Sequence, residues 1–344
     1  MTLDDRINTF SELGLYLQNY TDSKDLSSNF SQKLTNIIRQ AEIQNAWFTQ
    51  DQVHLSIAAW AKALTKKQLR NWLTPYKISA MPKKDVAVIM AGNIPLVGFH
   101  DFLCVLILGH KVIGKLSSND NLLLPFMAEE LIKIHPGFED KIVFTNDRLP
   151  KFDSVIATGS NNTARYFEYY FKDKPHIIRK NRNSLAILNG TESKTELEAL
   201  GEDVFRYFGL GCRNVSKLFI PEDYDVDDFF KAMFKFKDYI HHHKYANNYD
   251  YNKAVYLMSS VKLLDNGFLL LKEDKQFSSP IGTLFYEKYT SIKELEITLR
   301  ERHEEIQCTV GNEDFTEVNF GQTQNPKLSD YADGVDTLEF LIQH

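Results

Sequence analysis

The chain has 344 residues, 43% hydrophobic and 25% charged, a balance ordinary for a globular enzyme with room for two domains. Its net charge of −6 argues against a nucleic-acid partner, which demands a basic face. No stretch reaches the roughly 20 unbroken apolar residues that span a bilayer, and Met1-Thr2-Leu3-Asp4-Asp5-Arg6 is not a basic-then-apolar signal peptide, so a cytoplasmic protein is expected.

Residues 1–78 read as a helical segment, with apolar residues at helical spacing through Phe10, Leu13, Leu15 and Leu17, then Leu34, Ile37 and Ile38. The pattern changes at Asp85. Val86-Ala87-Val88-Ile89-Met90-Ala91 is a continuous apolar run, as a buried parallel strand requires. Gly92-Asn93-Ile94-Pro95 then opens an apolar helix through Leu108. Further strands are expected at 111–115, 141–144, 154–157 and 184–188. Asn119 and Asp120 cap an intervening helix through Ile134, and another helix follows Thr158-Gly159-Ser160. Strands alternating with helices on short loops imply a doubly wound parallel sheet. A second, smaller α/β unit follows: helix 193–208, a turn at Cys212, a strand to Pro221, helix 227–241, strands near 268–271 and 282–286, and helix 291–305. The expected organisation is a helical segment 1–78, a cofactor-binding α/β domain 79–188, a catalytic α/β domain 189–325, and a tail 326–344 forming an edge strand.

Several residues can carry chemistry. Asn93 follows a strand's carboxyl end, where open α/β sheets bind ligands, and its amide can donate to an oxyanion; it can equally cap a helix. Lys115 ends a strand and can hold a ribose hydroxyl or phosphate, or simply be solvated. Thr158-Gly159-Ser160 precedes a helix N-terminus, which suits a pyrophosphate or needs only an ordinary cap. Neither G-x-G-x-x-G nor a P-loop is present. The tract His241-His242-His243 points in different directions on a helix and lacks ligand partners, so no metal is expected, although one ring could act as an acid or base. Three widely spaced cysteines fit a reducing compartment. Cys104 lies on an apolar helix and reads as core. Cys308 reads as a helix end. Cys212, in Gly209-Leu210-Gly211-Cys212-Arg213, has two glycines to clear space and an adjacent cation that favours the thiolate; it can equally be a buried small residue in a tight turn.

The order Ala91-Gly92-Asn93-Ile94-Pro95-Leu96, Lys115-Leu116-Ser117-Ser118, Ala157-Thr158-Gly159-Ser160 and Gly-x-Gly-Cys212 resembles the aldehyde dehydrogenase superfamily, in detail the LuxC-type acyl-CoA reductases, over about residues 80–325. The resemblance implies an aldehyde dehydrogenase-like fold. It implies a Cys212 nucleophile that forms an acyl thioester, and an oxyanion hole made by Asn93 and the Cys212 backbone N–H. Lys115 is implied to bind the adenosine ribose or its phosphate, Ser117 to bind the cofactor, NADPH or NADH, and Gly159 and Ser160 to form the turn that passes close to the nicotinamide cofactor. Hydrolytic relatives carry a glutamate before the cysteine; here Arg179-Lys180-Asn181-Arg182-Asn183-Ser184-Leu185 has no carboxylate to activate water. Asp274-Lys275-Gln276-Phe277 stands where a nicotinamide-ribose glutamate often occurs. The chain is also shorter than typical members, which implies a reduced N-terminal segment or oligomerisation arm. The expected reaction is reduction of an acyl-CoA, a fatty acyl-CoA above all, to an aldehyde with release of coenzyme A. A homodimer or an acyl-activating partner protein is compatible with it. The competing readings are a cysteine acyl transferase or thioesterase without hydride chemistry, and a non-catalytic binding protein.

Overall fold

Helices α1 (Leu3–Ser23), α2 (Asn29–Gln44), α3 (Gln50–Ala63) and α4 (Lys66–Leu73) open the chain. Ser28, Thr49 and Thr65 cap the last three, each side-chain oxygen accepting a first-turn N–H. Such caps are worth about 1 kcal/mol apiece. Phe10, Leu13 and Leu17 are buried as expected, whereas Leu15 is 50% exposed, because α1 turns it off the apolar stripe. The structure is a computed structural model and describes residues 1–23, 27–78 and 82–344. The expected junction at 78/79 therefore borders residues outside the description.

The chain divides into two compact units, 1–180 with 327–344, and 181–326. In the first, β1 (Asp85–Ile89), β2 (Lys111–Lys115), β3 (Ile142–Phe144), β4 (Ser154–Thr158) and β5 (His176–Arg179) form a parallel sheet in the order β3-β2-β1-β4-β5. This doubly wound order places the central β1 between β2 and β4. Helices α5 (Phe99–Ile107), α6 (Leu123–Ile134) and α7 (Asn161–Phe171) connect the strands. Gly92–Pro95 does not open α5. The helix starts at Phe99 with Gly98 as its N-cap, because residues 93–94 bend, residues 95–98 form a turn and Leu96 adopts a left-handed φ of 58°. Likewise α6 starts after Leu122, and Asn119 and Asp120 do not occupy its N-cap position.

The second unit carries β6 (Asn183–Ile187), α8 (Lys194–Phe205), β7 (Val215–Pro221), α9 (Val226–Met233), α10 (His243–Met258), β8 (Leu263–Asp265), β9 (Leu270–Glu273), β10 (Thr283–Tyr289), α11 (Ile292–Glu301) and β11 (Ile306–Val310). Their sheet runs β11-β6-β7-β10-β9-β8, parallel except for β8. The strand expected to finish the first sheet, 184–188, is thus β6 of the second sheet, and β5 takes its place. Cys308 lies within β11, not at a helix end.

The tail is a helix, not an edge strand: α12 (Thr337–Gln343), capped by Asp336, buries Leu338 and Leu341 against the first unit's core. Polar side chains hold this segment. Trp72 Nε1–H donates to Tyr331 Oη at 2.8 Å, and Tyr76 O–H donates to Asp336 at 2.6 Å. The buried Arg179 reaches both Asp101 (2.5 Å) and Thr337 (3.0 Å). Among the described residues, no helix is long and apolar enough to cross a membrane.

Candidate active site

In the first unit, register gathers the expected cofactor residues. Ile89 of β1 stands opposite Lys115 on one side and Ala157 on the other. The chain leaving these three adjacent strand ends carries Asn93, Lys115 with Ser117, and Gly159 with Ser160. Between β1 and β4 the strand order reverses, the place where open sheets leave a ligand crevice.

Asn93 is exposed on a loop fixed at several points. Ser56 Oγ donates to the Pro95 carbonyl at 2.9 Å, and the Leu96 N–H donates to the buried Asp120 carboxylate at 2.9 Å. These bonds hold Leu96 in a left-handed conformation that costs about 1–2 kcal/mol in a non-glycine residue. Gly92 is required here: a Cβ at this position would lie 2.5 Å from Ser117 Cβ and Oγ. Ser117 Oγ also accepts the Asn119 N–H at 3.2 Å. The Lys115 ammonium donates to the Asp147 carbonyl at 3.2 Å. Ser160 caps α7, accepting from Thr163 N–H, and the Gly159 N–H donates to the Arg179 carbonyl at 3.2 Å. An exposed helix N-terminus suits phosphate oxygens chemically, and a lysine at a strand end suits a ribose hydroxyl or phosphate.

In the second unit, Cys212 is exposed on the turn between α8 and β7, while Cys104 and Cys308 are buried. Burial pushes both buried thiols up from their ordinary pKa, keeping them protonated. Helix α8 stops at Phe205, short of the expected 208, because Tyr207 and Phe208 take left-handed φ values of 51° and 57°. Their buried rings offset this strain; Phe208 lies 4.3 Å from the His242 ring. His242 caps α10 through the Tyr245 N–H, and His241 is exposed. Among the described residues, no group of three or more His, Cys, Asp or Glu side chains is placed to hold a metal ion.

Asn214 closes the turn. Its Oδ1 accepts the Gly211 N–H at 2.8 Å, its own N–H donates to the Gly211 carbonyl at 3.0 Å, and its Nδ2 donates to the carbonyls of Asp203 and Arg206. The fully buried Asp203 carboxylate accepts from the N–H groups of Gly321 and Thr323 and from the Thr323 hydroxyl, and Arg213 Nε donates to the Thr323 carbonyl. Desolvation raises the Asp203 pKa against these donors. Sequence reasoning missed Asp203 and Asn214 and gave Asp120 only a helix cap; buried polar residues interrupt the apolar patterns that guide it. In the segment without a carboxylate, Arg179 is paired with Asp101 and Ser184 Oγ donates to the Cys212 carbonyl at 2.9 Å.

The sequence model of the LuxC acyl-CoA reductases matches residues 28–279. The chain belongs to the LuxC acyl-CoA reductase family. Its fold is that of the aldehyde dehydrogenases. The chain is similar to an aldehyde dehydrogenase from Bacillus cereus, with a TM-score of 0.63 at 13% identity over 91% of this chain and 72% of that one. It is also similar to aldehyde dehydrogenase 21 from Physcomitrella patens (TM-score 0.64, 13% identity, 91% and 74% covered). A third similar structure is aldehyde dehydrogenase C from Pseudomonas syringae, complexed with NAD+ and octanal (0.64, 12%, 91% and 73%). No curated protein sequence matches the chain. Membership in the LuxC family makes it an oxidoreductase of the acyl-CoA reductase type, with an acyl-CoA as substrate.

Proposed function

We propose that this LuxC-family enzyme reduces a fatty acyl-CoA to its aldehyde through an acyl-Cys212 thioester, using NADPH or NADH. The observation that carries the reading is the exposure of Cys212 on a turn bonded on both sides of the residue, while the other two thiols are buried. The thiolate attacks the thioester carbonyl, a tetrahedral oxyanion forms, and the C–S bond to coenzyme A breaks, coenzyme A leaving as a thiolate that takes a proton from solvent. The Asn93 carboxamide and the Cys212 N–H donate to that oxyanion; losing one such donor typically costs about 10²–10³ in rate. When bound, NADPH or NADH would supply the hydride; the acyl C–S bond then breaks, so that the aldehyde is released and the Cys212 thiolate returns. Lys115 and Ser117 would bind the adenosine side of the cofactor, and Gly159 and Ser160 would admit its phosphates at the α7 N-terminus. The segment 179–185 offers no general base for water, so the thioester persists until it is reduced or returned to coenzyme A.

The test is oxidation of NADPH and of NADH with a panel of acyl-CoAs, in wild type and Cys212→Ala. Acyl-CoA-dependent oxidation in wild type alone supports the proposal. Equal rates in the two proteins, or acyl-CoA turnover without oxidation of either nucleotide, refute it.

A further inference from the structure

Ser184 sits on β6 between Cys308 of β11 and Val215 of β7, and its side chain is fully buried. Its oxygen lies 2.9 Å from the Cys212 carbonyl oxygen and 3.1 Å from Cys308 Sγ. A hydroxyl has one proton, and a carbonyl can only accept. The Ser184 proton is therefore committed to Cys212. Towards Cys308 the Ser184 oxygen must accept, so the Cys308 thiol is the donor. The result is a directed chain, Cys308 S–H to Ser184 Oγ–H to Cys212 C=O. Desolvation keeps the Cys308 thiol protonated, as this direction requires. On the other side of Cys212, the Gly211 carbonyl accepts the Asn214 N–H at 3.0 Å. That bond fixes the peptide plane containing the Cys212 N–H, while Ser184 fixes the plane that follows. The two planes together set the direction of the Cα–Cβ bond, and so the arc that Sγ sweeps about χ1, and the direction of the Cys212 N–H.

We propose that Ser184, polarised by the Cys308 thiol, is a positioning residue that aims the Cys212 sulfur and N–H at the thioester carbonyl. This rests on the reading of Cys212 as nucleophile. Hydrogen bonds in such a chain polarise one another, so Cys308 acts on Cys212 without touching the substrate.

The experiment is rapid-quench acylation of the full chain by saturating decanoyl-CoA without nicotinamide, the Cys212 adduct being followed by peptide mass spectrometry. Iodoacetamide alkylation of Cys212 is measured in parallel, since it needs an accessible thiolate but no aimed carbonyl attack. A misplacement of the nucleophile can cost about 10²-fold, so Ser184→Ala is expected to slow acylation by about 10- to 100-fold. Its alkylation rate changes far less. Cys308→Ala is slowed by about 3- to 10-fold, in line with the loss of one hydrogen bond. Cys308→Ser, which restores an O–H donor, recovers most of that loss. Acylation of Ser184→Ala at the wild-type rate overturns the proposal, as does Cys308→Ser acylating as slowly as Cys308→Ala. The second comparison decides the matter even where Ser184→Ala does not fold. A wild type that forms no adduct on Cys212 overturns the nucleophile reading itself, and the positioning role with it.

Discussion

Replacing Asp120 by Asn removes a charge from the interior of the first unit. Asp120 is only 8% exposed, and one carboxylate oxygen has no hydrogen-bond partner among the described residues. Desolvation pushes its pKa from 3.8 up to about 6, against the opposing pull of the Leu96 and Leu123 N–H groups. That rise corresponds to about 3 kcal/mol of differential stability. Because the folded pKa lies above the unfolded one, the folded state holds a proton that the unfolded state has released. The penalty is present in full at pH 7 and is relieved as the pH falls through about 6 towards about 4. Wild type should therefore gain up to about 3 kcal/mol relative to Asp120→Asn between about pH 7 and about pH 4. Carboxylates shared by the two proteins cancel in the comparison. Urea unfolding followed by tryptophan fluorescence is the suitable assay, since Trp47, Trp60 and Trp72 all belong to the first unit. Equal pH dependence in the two proteins would refute the reasoning.

Gly92→Ala should destabilise the first unit by about 1–3 kcal/mol, since its methyl group collides with Ser117. Adding Ser117→Gly should restore much of that loss in the same unfolding assay. Asp101→Asn strands the buried Arg179 guanidinium and should cost about 3–5 kcal/mol, with partial recovery in Asp101→Asn/Arg179→Met. In the native protein iodoacetamide should label Cys212 well before Cys104 and Cys308, and in urea all three should react alike, as peptide mapping would show.

The sequence made the central architecture legible where local chemistry and tertiary role coincide. The apolar run at Val86–Ile89, the cap at Ser160 and the glycines before Cys212 each state their own surroundings. It could not assign β6 to its sheet, because a buried parallel strand looks alike in either one. Strand β5, only four residues with a histidine and an arginine at its ends, offers too little apolar character to be seen. Helix α10 was missed because its apolar residues follow no single stripe. The tail carries a helical i, i+3 pair in Leu338 and Leu341, but its apolar run Phe340-Leu341-Ile342 suits a strand equally. At the candidate site, Cys212 and Asn93 announce themselves through neighbouring glycines. Their supports do not: Asp120 lies 27 positions from Asn93, Asp203 works through the distant Thr323, and Ser184 is registered against Cys308 only once the sheet exists.

The central claim is that Cys212 carries the acyl group. Incubating the wild-type protein with decanoyl-CoA and no nicotinamide, then mapping peptides by mass spectrometry, tests it directly. One acyl adduct is predicted, on the peptide containing Cys212, stable until NADPH or NADH is added and then released as aldehyde. An adduct on Cys104 or Cys308, no adduct at all, or its decay to the free acid before any nucleotide is added would contradict the account.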